Sequence, residues 1–315
     1  MEFFQPKNLK IDWVKYFKPA MLASIALTAL SVVLMVKPGL NYGIDFRGGL
    51  EALVSFQDPN VDVGELRETL DNKIENLSVV NFASTNGKTE FQITGRSESP
   101  EKMSTVLTES LVAKYGPRGE KWEATKIDTV GPKAGSELRK SALLSMIYTC
   151  LLVGLYMYWR FDARYAPGVL ACIFHDLIVA TGFLVVSGME FSTTVVAGLL
   201  TLAGYSVNDT VVIYDRIREL ENGSYGKSKA ALVNEAINST LSRTVLTSVT
   251  TLGACVILFF IGAADIKAFA ATLFVGIIVG TYSSVFVAAP IYLWANNRLE
   301  SNATGTNKLA TSTKS

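Results

Sequence analysis

Six stretches of the chain are almost uninterruptedly apolar, at about 19–36, 141–159, 166–187, 191–214, 244–262 and 268–293. Each approaches the roughly 20 residues that a helix needs to cross a lipid hydrocarbon core. About 100 mostly polar residues separate the first stretch from the second, whereas the last five follow one another over short connections. The pattern predicts an α-helical polytopic membrane protein with six transmembrane helices in a 1+5 arrangement. Its divisions are an interfacial segment over 1–18, the first transmembrane helix over 19–36, an external domain over 37–138, a five-helix bundle over 139–294 and a tail over 295–315. The first span reads as a retained anchor. Lys37-Pro38-Gly39 follow it without a small-x-small cleavage pattern, and four lysines with Trp13 and Phe17 precede it.

The polar interval has its own periodicity. Leu50 to Phe56 alternates as a strand, and Val61 to Lys73 has a helical pattern after Asp58-Pro59-Asn60. Val79 to Ser84 and Thr89 to Arg96 read as two strands joined across Thr85-Asn86-Gly87-Lys88, with Asn86-Gly87 as the hairpin signal. A second helix over Glu101 to Tyr115 stops at Gly116-Pro117, and Lys121 to Val130 makes the last strand. This βαββαβ order predicts an α+β, ferredoxin-like domain. Fold alone assigns it no activity.

Composition narrows the classes. Hydrophobic residues are 49% of the chain, charged residues 18%, and the formal net charge is +1. Those values exclude a disordered chain and argue against a nucleic-acid binder, which would carry a basic excess. Cys150, Cys172 and Cys255 sit inside apolar runs without metal-ligand spacing and read as small hydrophobes. Fourteen lysines and arginines flank the spans on one side, in the N-terminal tail, the 160–165 and 215–243 loops and the C-terminal tail. On the other side the short loops carry only Lys267. By the positive-inside rule both termini are cytoplasmic and the 37–138 domain lies outside.

Candidate chemistry is sparse and mostly intramembrane. Gly43-Ile-Asp45-Phe-Arg47-Gly48-Gly49 has a glycine pair but neither a P-loop nor a dinucleotide fingerprint. It reads as a turn in which glycines allow close backbone approach. His175-Asp176, with the sole histidine, falls near the middle of the third span; one histidine makes a poor metal site, and ionisable groups at that depth face a bundle interior or a water cavity. The fourth span ends Gly204-Tyr-Ser-Val-Asn208-Asp209-Thr210, followed by Asp215-Arg-Ile-Arg218. Asp209 lies six residues deeper than Asp215, about 9 Å along a helix. On the fifth span Arg243, Thr247 and Thr251 form a polar stripe at a spacing of four. Facing helices would put Arg243 beside Asp209, either as a static ion pair or as a pair that opens and closes with a proton.

Taken together, Gly204-Tyr-Ser-Val-Asn-Asp-Thr210 with Asp215-Arg-Ile-Arg218, Gly43-Ile-Asp-Phe-x-Gly-Gly49, His175-Asp176 followed by Gly182, and Ser242-Arg-Thr244 resemble the SecF family of the resistance-nodulation-division superfamily. The resemblance covers about residues 7–298, and Arg47 departs from it where threonine is expected. It implies a multi-pass protein of the bacterial cytoplasmic membrane that assists export through the Sec channel (SecYEG) with a SecD-like six-span partner, YajC/YidC being further partners. It implies proton-motive-force-driven pulling of unfolded preprotein on the outer face, with Asp209, Arg243 and Thr247 on the proton path beside Asn208, and His175 and Asp176 as helpers. No cofactor other than the coupling proton, no metal and no enzymatic activity is expected.

Two alternatives stay open on the residues alone: half of a proton-coupled small-molecule efflux transporter, and a non-conducting structural subunit. An intramembrane protease lacks its motifs. Gly276-Ile-Ile-Val-Gly280 offers a close-packing site for a partner's helix. Residues 303–315 read as a disordered tail.

Overall fold

The computed structural model describes residues 11–58, 60–71, 73–85, 88–95, 100–223, 226–262 and 264–312. The chain divides into two units, one of Met1–Leu40, Ser145–Met189 and Thr194–Ser315, the other of Asn41–Leu144 with Glu190–Thr193.

Six helical segments are long and apolar enough to cross a membrane: Val14–Gly39, Pro132–Arg160, Ala166–Ser187, Thr193–Gly223, Lys229–Ile261 and Asp265–Leu299. The first comprises α1 (Phe17–Leu34) with a short 3-10 turn before it and a kinked segment ending at Gly39 after it. After a four-residue helix α2 (Ile44–Arg47) and the domain helices α3 (Val63–Leu70) and α4 (Pro100–Tyr115), the later spans are α5 (Pro132–Arg160), α6 (Ala166–Ser187), α7 (Thr193–Gly223), α8 (Lys229–Ile261), α9 (Ala264–Ser283) and α10 (Ala289–Ser312). A π-helical turn, Ser284–Ala288, joins α9 to α10.

Helices α5, α7 and α8 run 8 to 15 residues beyond the apolar stretches at one end. An apolar run measures only the hydrocarbon thickness, and a helix continues through the headgroup region on polar residues. Helix α10 likewise continues through Ser312 where no regular structure is expected; propagating an existing helix needs no new nucleus, so even Thr-Gly-Thr can follow one.

The bundle is built around α6, which packs against α1, α9, α10 and the π-turn. Small residues set the distances. A Cβ at Gly182 of α6 would strike Ser31 of α1, and one at Gly154 of α5 would strike Leu170 of α6. The Gly276–Gly280 pair corrects the sequence expectation. It is filled by α7 of the same chain, Gly276 lying against Leu202 and Gly280 against Ser206, and so is not left open for a partner. Large apolar side chains on the outer faces of α1, α5 and α8, among them Leu22, Leu152 and Phe260, are exposed as lipid contact requires.

The N-terminal segment is fastened to α8. Asn238 Oδ1 accepts from the Ile11 N–H and from Trp13 Nε1, and its amide donates to the Ile11 carbonyl. One turn earlier, Asn234 accepts from the Val14 N–H and donates to Asp12.

The second unit holds a four-stranded antiparallel sheet of β1 (Gly49–Phe56), β2 (Ser78–Thr85), β3 (Lys88–Gly95) and β4 (Trp122–Val130), in the order β2-β3-β1-β4. Alternation along β1 puts Leu50, Ala52, Val54 and Phe56 on one face, where Leu66 and Leu70 of α3 and Leu107 and Leu111 of α4 cover them. All these elements fall within three residues of their sequence-predicted ends. Helix α3 begins late because Asp62 caps it, accepting from Gly64 N–H at 3.1 Å. Strands β2 and β3 pair with Thr85 opposite Lys88. The expected Asn86-Gly87 turn lies outside the described residues.

Candidate functional site

Helix α7 presents two unlike faces. Leu202, Ser206, Asp209, Ile213 and Tyr214 are buried, whereas Asn208 and Gly204 are exposed. Asp209 is 2% exposed, and its Oδ2 has no hydrogen-bond partner. Asn208, one residue and about 100° away on the helix, lines a polar cleft of about 560 Å³ with Asp215 and Arg216 of α7 and Ser239, Thr240 and Arg243 of α8. Arg243 is within electrostatic reach of Asp209, but no ion pair or hydrogen bond joins them. The juxtaposition expected from sequence is therefore open in this conformation, because Asp209 turns inward while Arg243 sits in the cleft.

The threonine stripe is spent within α8. Thr247 Oγ1 donates to the Arg243 and Thr244 carbonyls at 3.0 and 2.9 Å, and Thr251 donates to Thr247. Gly204 has no neighbouring atom within 4 Å of a built Cβ, and α7 runs through it without a break.

His175 and Asp176 lie in the bundle core, 6% and 1% exposed. Asp176 Oδ1 is 2.8 Å from His175 Nδ1, and Oδ2 accepts from Ser206 of α7 at 2.5 Å and from Ser283 of α9 at 2.8 Å. The adjoining π-turn frees carbonyls that neighbours satisfy: Cys172 donates to Ser283 O, and the Tyr214 hydroxyl to Ala288 O at 3.0 Å.

A further cluster escaped the sequence reading. Glu221, at the end of α7, accepts from Tyr292 of α10 at 2.6 Å and from Tyr165 at 3.2 Å, and pairs with Lys229 of α8 at 2.5 Å and Arg164 at 3.4 Å. Tyr165, Tyr214 and Tyr292 pack their rings together beside it, with centroids 4.8 to 5.8 Å apart. Three tyrosines at the ends of spans fit the aromatic belt of a membrane interface, and that was the available signal.

In the other unit, the glycine-pair segment forms a small structure of its own. Phe191 N–H donates to the Asn41 carbonyl at 2.7 Å and Gly43 N–H to Phe191 O at 3.0 Å, while Tyr42, Phe46 and Phe191 stack edge to face or tilted. Asp45 Oδ2 accepts from both the N–H and the hydroxyl of Thr193. Gly48 has φ +78°, and a Cβ there would come 2.9 Å from Pro132 Cα. Gly49, with φ +144°, also holds a backbone that favours glycine. Among the described residues no group of three or more His, Cys, Asp or Glu side chains is placed to hold a metal ion.

Comparison with known proteins bears on all of these positions. Residues 110–298 match the family described as protein export membrane protein SecD/SecF, C-terminal, and residues 33–59 match the SecD/SecF GG motif. The protein translocase subunit SecF of Desulfurispirillum indicum is 36% identical over 281 residues, covering 87% of this chain and 88% of that protein. That of Rickettsia bellii is 35% identical over 299 residues, covering 94% and 97%.

The chain belongs to the SecF family.

Among solved structures, SecDF from Thermus thermophilus, a translocon-associated membrane protein, matches with a TM-score of 0.79 and 32% identity over 93% of this chain. SecDF in a super-membrane-facing form matches with a TM-score of 0.69 and 34% identity over 97% of it. The chain spans about 40% of the length of each SecDF chain. As a SecF family member it is a multi-pass membrane protein. The GG motif is the Gly48–Gly49 turn, and Asp176, Asp209 and Glu221 all fall within the stretch that matches the C-terminal family model.

Proposed function

We propose that the chain is an accessory subunit of the Sec protein translocase that, with a SecD-like partner, uses the proton motive force to promote preprotein export across the bacterial cytoplasmic membrane. One observation carries the reading: Asp209 is a buried carboxyl with an unpartnered oxygen, inside a span, one residue from a polar cleft that holds an arginine. An ionised carboxylate without a partner is among the costliest groups to bury, and either a proton or the approach of Arg243 removes that cost. Two arrangements of α7 and α8 follow, one for each state of Asp209. A proton descending the membrane potential supplies about 2.3 kcal/mol per 100 mV, enough to bias such a two-state element. No covalent chemistry and no bound cofactor enters the cycle.

The partner is inferred from the SecDF chains, of which this chain accounts for about 40%, the remainder leaving room for a second, SecD-like half. The charge asymmetry of the loops supports cytoplasmic termini and an external domain. The order β2-β3-β1-β4 with two helices on one face supports a ferredoxin-like reading of that domain, suited to contacting a chain as it emerges. The names of the relatives favour protein export over small-molecule efflux.

Proton flux into vesicles holding the chain with its partner tests the proposal. Asp209→Asn leaves no stranded ion pair here, so it should assemble normally yet lose proton flux and secretion support. An Asn variant that conducts protons and supports secretion at the wild-type rate would remove Asp209 from the mechanism.

A further inference from the structure

Asp176 sits where α6, α7 and α9 meet, and its surroundings specify a protonation state. Oδ2 accepts from two hydroxyls, Ser206 and Ser283, and Oδ1 faces His175 Nδ1. An oxygen accepting from two donors has no room for a proton of its own, so this arrangement belongs to an ionised carboxylate with the ring proton on Nδ1. The second ring nitrogen, Nε2, is buried without a partner. With a neutral ring the pair carries one negative charge in the apolar interior. One more proton makes it neutral, and relieves the cost of that charge.

We propose that His175 and Asp176 together form a proton-binding site in the bundle, separate from Asp209, whose occupancy is read by the hydroxyls of Ser206 and Ser283. Such a pair takes up its proton as a unit. A proton placed on Oδ2 displaces one of the two hydroxyls and so releases α7 or α9 from α6. Space amplifies the effect, since a Cβ at Gly280 would lie 3.4 Å from Asp176 Oδ2 and 3.2 Å from Ser206 Cβ; a hydroxyl that lets go cannot simply rotate into a void. Ser206 stands three residues before Asp209, about 4.5 Å along the same helix, so release of Ser206 moves the element that carries the other carboxyl. Ser283 directly precedes the π-turn, a local break in helical register. The ionisable side chains on the helices around the site are Cys172 on α6, Asp209 and Tyr214 on α7 and Tyr282 on α9; α1 carries only Lys18 at its start, and Tyr292 on α10 is committed to Glu221.

The inference extends the proton-driven reading, but its test needs neither translocation nor flux. His175 is the sole histidine of the chain, so one imidazole is visible when the untagged, full-length protein is labelled with nitrogen-15 histidine. Nuclear magnetic resonance of the ring nitrogens should show the bare Nε2 signal of the neutral ring at mildly alkaline pH and its loss on mild acidification. Ser206→Ala, which removes a hydroxyl that does not touch the ring, should displace that transition along the pH axis, and Asp176→Asn should displace it further. Asp209→Asn should leave it in place. A ring that does not change across this range, or that titrates identically in the wild type and in Ser206→Ala, overturns the proposal, as does a transition abolished by Asp209→Asn. Should Asp176→Asn fail to fold, Ser206→Ala decides alone.

Discussion

Asp45 caps α7 from a distant part of the chain: a single carboxylate oxygen accepts the Thr193 N–H at 2.8 Å and the Thr193 hydroxyl at 2.6 Å. The first turn of a helix has donors with no intrahelical acceptor, and a negative charge there also meets the positive end of the helix dipole. The conserved-looking glycine pair of the motif thus has a carboxylate beside it with a definite task. Asp45→Ala should lower the stability of the purified chain by about 1 kcal/mol, and Asp45→Asn by less, because the amide oxygen still accepts. Thermal unfolding in detergent measures both; an Ala variant as stable as the wild type would remove the cap from the account.

Glu221 should matter more. It ties α7 to α8 and α10 through two cations and two phenols, and its side chain is only 10% exposed. Glu221→Ala leaves Lys229 and Arg164 facing each other without their anion, and a loss of about 2 kcal/mol is expected once their partial exposure is allowed for. Lys229→Met in the Glu221→Ala background should recover part of it. A double variant no better than the single one would show that the cluster does not act through charge balance.

Alkaline pH should reveal Tyr115. Burial first, then the charge of nearby Glu65, holds its phenol proton well above the ordinary tyrosine value. An acid whose proton is held more tightly in the folded state contributes stability that is complete below the unfolded value, near pH 10, and lost as pH rises beyond it. Its hydroxyl is buried without a hydrogen-bond partner, while its ring packs on Phe56 at 4.9 Å. Tyr115→Phe should therefore stabilise the chain by about 1 kcal/mol at neutral pH and flatten the alkaline limb of its stability curve. Urea unfolding followed across that limb provides the check.

Orientation is open to labelling. The native Cys150, Cys172 and Cys255 are buried, so cysteines placed at exposed Lys121 and Lys227 would be the reactive ones. An impermeant thiol reagent should reach Lys121→Cys from outside the cell and Lys227→Cys only after permeabilisation. The reverse pattern would invert the topology and with it the direction of proton entry.

Spans and strands were readable because both depend on apolar periodicity, which one residue barely disturbs: β1 and α4 begin within one residue of expectation. The candidate site was readable only as a set of residue types. Asp209 and Asp176 stand out as charges in apolar runs, but their partners lie on other helices at distances in sequence that no local pattern encodes, such as Ser283, which is 107 residues from Asp176. Helical phase decides the rest. Arg243 and Asp209 are at similar depth, yet Asn208 rather than Asp209 faces the arginine's cleft. The Gly276–Gly280 motif was seen correctly as a contact, but sequence could not say that α7 of the same chain would make it.

The asparagine clamp on the N-terminal segment reaches back 220 to 227 residues, from Asn234 and Asn238 to Ile11, Trp13 and Val14. Chains are synthesised from the N-terminus, at roughly 5–20 residues per second. The first span to enter the bilayer is thus the last to be fastened: for most of synthesis it waits there as a lone apolar rod until α8 arrives. Any truncation before Asn234 yields a protein whose opening helix is inserted but never moored.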